Sequence, residues 1–159
     1  MEIINPHKVI SRPVDTENMM EMERVYKVTA EMSDLCKEGH GRYQYGMAIS
    51  HCQVTQNDPL RFFVTNEEEV VINPEIIKHT EFLGDFEEGC LSFPDKKMII
   101  AKRWNKVTAK YFVIDLDKND GLITEMQQNI GGLDAKIIQH EIDHMNGLNI
   151  YERFEPQTS

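Results

Sequence analysis

The stretch Gln139-His140-Glu141-Ile142-Asp143-His144 constrains this chain more than any other. Two histidines four residues apart stand one above the other on a helix face, so both imidazoles can reach a single ion. The glutamate after the first histidine is turned about 100° around the axis. That sets it beside such an ion without making it a ligand, where it can handle the proton of a bound water. The helix is expected from about Gly132 to Asn146, with Gly147 as its stop. On the helical wheel Leu133, Ile137, His140 and His144 share one stripe, and Ile138, Ile142 and Met145 form a second apolar sector. Lys136, Gln139, Asp143 and Asn146 fall on the remaining, polar side. A pair of structural histidines is the plainer reading, but aliphatic neighbours in the histidine stripe favour a metal.

Two histidines do not hold a catalytic metal; a third protein donor and an open position are needed. Downstream only Glu152 and Glu155 are candidates. Upstream, Cys90 lies in Glu87-Glu-Gly-Cys-Leu-Ser-Phe-Pro94, between a glycine that allows close backbone approach and a proline that closes the segment. A lone cysteine is more often a small buried residue. Combined with the histidine pair, Cys90 is the preferred donor.

The rest of the chain bounds the fold. Its 159 residues suit one domain, 1–159, and 40% hydrophobic residues are enough for a core. Mean hydropathy is −0.48, and no apolar run approaches the roughly 18 residues of a membrane span. The first twelve residues resemble neither a signal nor a transit peptide. A net charge of −10 argues against direct nucleic-acid binding. Three cysteines cannot all pair, which fits a reducing cytoplasm, with Cys36 and Cys52 as buried bystanders.

Asp15 to Glu38 reads as a long helix capped by Thr16 and closed by Gly39. Strand signals follow at 61–65, 70–73, 97–101 and 106–115, separated by Pro59, Pro74, Pro94 and the Asp117–Gly121 turn, and residues beyond Tyr151 read as a short tail. The order implies an α+β fold, with mostly antiparallel sheets packed around the C-terminal histidine helix and a long N-terminal helix.

Glu-Gly-Cys-Leu-Ser at 88–92 followed by Gln-His-Glu-x-x-Asp-His at 139–144 resembles the signature of the peptide deformylase family. Ile72-Asn-Pro-Glu75 and Gly132-Leu-x-Ala135 extend the likeness. The resemblance implies a metalloenzyme that removes the formyl group from the N-terminal formyl-methionine of nascent polypeptides. It implies Cys90, His140 and His144 as metal ligands, Glu141 as acid/base and the Leu91 backbone N–H as a donor to the formyl oxygen. Fe(II) is the implied ion, with Zn(II), Ni(II) or Co(II) able to substitute. Tyr45, Gly46, Phe86, Gly89, Leu133 and Ile137 occupy positions resembling the substrate pocket. Glu88 and Arg103 resemble a buried ion pair behind the site, with Lys102 a rival one residue away.

The family's glycine motif, Gly-x-Gly-x-Ala-Ala-x-Gln, is altered. Its best ungapped match is Gln44-Tyr-Gly-Met-Ala-Ile-Ser-His51, which puts His51 where a glutamine normally donates to the formyl oxygen. Gln53, two residues on, supplies that amide only if a bulge or insertion re-aims it. The chain also stops soon after the histidine helix, like a compact form such as a phage encodes, and lacks the further helix associated with ribosome docking. The expectation is a monomer acting on formyl-methionine peptides in bacterial or host cytoplasm, with ribosome attachment in doubt. Two rivals remain. A small zincin-type peptidase leaves the cysteine motif unexplained. A non-catalytic descendant that binds a partner has no use for Glu141.

Overall fold

The computed structural model describes residues 1–6, 8–118 and 121–154. Asn119 and Asp120 of the expected turn, and Glu155 among the ligand candidates, lie outside them. The long helix α1 spans Met19–Glu38. It starts later than Thr16 because Asn18 is the better cap: its side-chain oxygen accepts from the Met20 and Glu21 N–H groups at 2.9 and 3.3 Å. Glu21 reaches back to the Asp15 N–H at 2.6 Å and holds residues 15–18 as a turn instead.

Five antiparallel strands form one sheet in the order β1-β2-β3-β6-β7, and β4 and β5 form a separate hairpin. The strands are β1 Ala48–Ser50, β2 Phe62–Thr65, β3 Glu69–His79, β4 Leu83–Glu88, β5 Ile99–Trp104, β6 Lys106–Asp115 and β7 Thr124–Gly131. Strand β3 runs through Pro74, which was expected to end it. A register shift between Ile72 and Glu75 absorbs the proline, with Asn73 at φ 52°. The Asn73 side chain exchanges two 2.8 Å bonds with the Val14 N–H and carbonyl, replacing the lost ladder.

Alternation along the strands sends side chains to two cores. Phe62, Val64, Val70 and Ile72 meet Met22, Val25, Met32 and Cys36 of α1. Phe63 and Val71 meet Ala135, Ile138 and Met145 of the second helix, α2, Gly132–Met145. The sheet is thus covered by a helix on each face.

Half of the polar side expected for α2 is buried, while Lys136 is half-buried and Asn146 exposed. Gln139 is 5% exposed because its amide satisfies the Trp104 backbone, accepting from its N–H at 3.0 Å and donating to its carbonyl at 2.9 Å. Asp143 is 4% exposed because it meets Arg103. Trp104 itself stacks on His79, ring centroids 3.7 Å apart and 8° from parallel. A short helix α3, Ile150–Arg153, follows where a tail was expected; Asn149 caps it with bonds of 2.9 and 3.0 Å. Among the described residues no helix is long and apolar enough to cross a membrane.

Candidate metal centre and active-site cleft

Cys90 enters from the segment after β4, while His140 and His144 come from successive turns of α2. His144 Nε2 lies 3.3 Å from Cys90 Sγ and 3.1 Å from His140 Nε2, and the three donor atoms all fall within 4.8 Å of one another. The edge of a tetrahedron built on ordinary zinc–nitrogen and zinc–sulfur bonds is about 3.3–3.7 Å. Two of the spacings lie close to that edge and the third is within 4.8 Å, so one divalent cation can be shared among the donors. Glu152, the rival ligand, is exposed on α3 and outside this cluster.

A buried chain of charges orients the ligands. His140 Nδ1 donates to Glu88 at 2.8 Å, leaving Nε2 to face the cluster. Arg103, fully buried, forks onto both Glu88 oxygens at 2.8 Å each and reaches Asp143 at 2.6 Å. Arg153 closes the chain on Asp143. Burial alone raises the Glu88 pKa, but the Arg103 and His140 bonds outweigh it and hold the carboxyl at about 2. Lys102 points outward to Asp85. The ion pair therefore belongs to Arg103.

Glu141 is 3% exposed, and burial pushes its pKa up against the pull of His140 and of a hydrogen bond from Ser50. It lines a cleft of about 240 Å³ together with Cys90, His140 and Gln53. Leu91 sits beside Cys90 in a turn closed by the Phe93 N–H on the Cys90 carbonyl at 3.0 Å, and its own carbonyl accepts from His40 Nδ1 at 2.8 Å. Tyr45, Gly46, Gly89, Leu133 and Ile137 all line the cleft. The two glycines are close approaches: a Cβ on Gly46 meets the Leu91 side chain, and one on Gly89 meets the Tyr43 phenol. Phe86 is not in the lining; the Lys136 ammonium covers its ring at 3.5 Å, and Lys136 faces the cleft instead. Tyr43 and Met98 also line it, and neither carried a signal in the sequence.

His51 is likewise displaced from its expected place. It opens a 3-10 turn, His51–Gln53, where its Nδ1 accepts from the Leu60 N–H at 2.9 Å and its ring stacks on Phe62. Burial first, and then Arg24, lower its pKa to about 4, so the ring is neutral near pH 7. Gln53 takes the position facing the cleft. Its Oε1 accepts from the Ser50 N–H at 2.8 Å, which turns its NH₂ toward Ser92 Oγ at 3.0 Å and Cys90 Sγ at 3.7 Å. The Ser50-x-x-Gln53 spacing, a capping-box pattern, was the available sign that a turn starts here and re-aims the glutamine.

Comparison with known proteins agrees with this geometry. A peptide deformylase of Brachyspira hyodysenteriae (strain ATCC 49526 / WA1) is 40% identical over 85 residues, covering 54% of this chain and 41% of that protein's length. One from Rhodopseudomonas palustris (strain BisB18) is 32% identical over 159 residues, covering 92% of this chain and 80% of its own. The crystal structure of the deformylase from the Vibrio parahaemolyticus bacteriophage VP16T in complex with actinonin superposes with a TM-score of 0.71 at 29% identity, covering 94% of this chain and all of that one. Residues 3–159 match the polypeptide deformylase family model, and the chain belongs to that family.

Proposed function

We propose that this chain, acting over residues 1–159 as one catalytic unit, is a metal-dependent hydrolase that removes the N-formyl group from N-terminal formyl-methionine and releases formate. The observation that carries this reading is the convergence of Cys90, His140 and His144 next to Glu141 at the floor of an apolar-walled cleft. A divalent cation held by those donors polarises a carbonyl and acidifies a water. Fe(II) is the resident ion in this reading, and Zn(II), Ni(II) or Co(II) accept the same thiolate and imidazoles.

The chain's own residues do the rest. Glu141 takes a proton from the attacking water as its oxygen bonds to the formyl carbon. The Leu91 N–H and the Gln53 amide donate to the formyl oxygen as it gains charge. Glu141 then returns the proton to the nitrogen as the carbon–nitrogen bond breaks, leaving formate and a free amine. Tyr45 is 59% and Leu133 52% exposed, and an unbranched apolar side chain lying against them and Ile137 removes that surface from water. The chain works as a monomer in the cytoplasm on nascent peptides.

The test is formate release from formyl-Met-Ala-Ser by protein purified anaerobically and loaded with Fe(II). Release supports the assignment. No release with either Fe(II) or Zn(II) overturns it.

A further inference from the structure

Ser50, fully buried at the end of β1, touches both of the groups assigned to proton handling and oxyanion binding. Its backbone N–H donates to Gln53 Oε1 at 2.8 Å. Its hydroxyl lies 2.5 Å from Glu141 Oε2 and 3.4 Å from the Glu141 carbonyl. A serine hydroxyl has one proton to give, and the carboxylate, nearer and charged, takes it.

The geometry has two consequences. A glutamate side chain has three rotatable bonds, and Glu141 is buried where water cannot hold it. Anchoring Oε2 fixes the carboxylate and leaves the other oxygen for the substrate water. The N–H bond to Gln53 Oε1 decides which end of that amide faces the cleft, because reversing the amide sets N–H against N–H. Both groups are thus referenced to one residue of a rigid strand that pairs with Phe63.

We propose that Ser50 is a positioning residue for hydrolysis: its hydroxyl orients the Glu141 carboxylate while its N–H orients the Gln53 amide. The proposal rests on the deformylase reading, and the experiment separates the two. Ser50→Ala removes the hydroxyl and keeps the N–H that orients the Gln53 amide. With Fe(II)-loaded protein and formyl-Met-Ala-Ser, kcat is expected to fall about 10-fold to 100-fold, the worth of a hydrogen bond to a charged group, while KM and iron content stay at wild-type values.

A second readout needs no turnover. Ser50→Ala lowers the Tm of the protein with Glu141 by several degrees and that of the Glu141→Ala protein by less. An unchanged kcat overturns the proposal. So does a fall in kcat that only tracks loss of folded protein, or an equal drop in Tm in both backgrounds. Wild-type protein that releases no formate retires the deformylase reading; active wild type with fully active Ser50→Ala retires the Ser50 role alone.

Discussion

Arg103, whose side chain is fully buried, grips Glu88 through two 2.8 Å bonds, and Glu88 in turn accepts from the His140 ring. His140, one of the three clustered donors, is therefore oriented by a guanidinium it never touches. Arg103→Leu leaves two buried carboxylates, Glu88 and Asp143, without their main partner. Breaking such a pair costs about 3–5 kcal/mol. Thermal unfolding should show a large drop in Tm, and metal analysis of the folded fraction should show weaker retention. Arg103→Lys, which cannot fork, is expected to fall between.

Glu141→Ala should keep its metal and lose turnover by about 10²–10⁴, the usual contribution of a positioned acid/base. Metal analysis beside formate release checks both halves. Full activity in this variant contradicts the proton route.

Gln53 and His51 separate cleanly. Gln53→Ala removes an oxyanion donor and should lower kcat by about 10²–10³. His51→Asn keeps an acceptor for the Leu60 N–H and should leave kcat near wild type, since the ring faces Phe62 rather than the cleft. Steady-state kinetics on formyl-Met-Ala-Ser decides which of the two acts.

The same histidine makes stability depend on pH. Its pKa is lowered from 6.5 to about 4 in the folded chain, so between those values the unfolded chain binds the extra proton. Stability from this group is complete above about pH 6.5 and is lost as pH falls toward 4, by about 3 kcal/mol in all. Glu88, held at about 2 from 4.5, is likewise depressed, and its contribution is lost only in the lower window between those values. Unfolding at pH 7 and pH 4.5 should show a decline in the wild type that is smaller in His51→Asn, the remainder coming from groups such as His144, whose pKa burial also lowers.

Removing the metal with a chelator should abolish turnover and lower Tm, because a cation bound only by the folded site stabilises it by mass action. Restoring Fe(II) should recover both.

The histidine helix, the cluster of Cys90 with His140 and His144, and the Arg103 pair were legible because each rests on local spacing or on an intact motif. Other features depend on distant partners. Gln139 and Asp143 are polar letters on a wheel, and only Trp104 and Arg103, brought in by β5, explain their burial. Strand β7 reads Thr-Glu-Met-Gln-Gln-Asn-Ile-Gly, with little alternation, and exists because β6 offers it a ladder from Lys106 to Val113. Strand β4 is similar: Leu-Gly-Asp-Phe-Glu-Glu carries few strand formers, and β5 supplies its register. His51 was misplaced because the motif was set two residues too early: Gly46-Met-Ala-Ile-Ser-His-Cys-Gln53 carries it without a gap and ends on Gln53.

The chain has a single tryptophan, and its indole lies flat against an imidazole. Trp104 is also the residue whose backbone the histidine helix holds through Gln139. Its emission is therefore a built-in optical gauge of whether β3 and the β4–β5 hairpin stay packed together, with no dye attached.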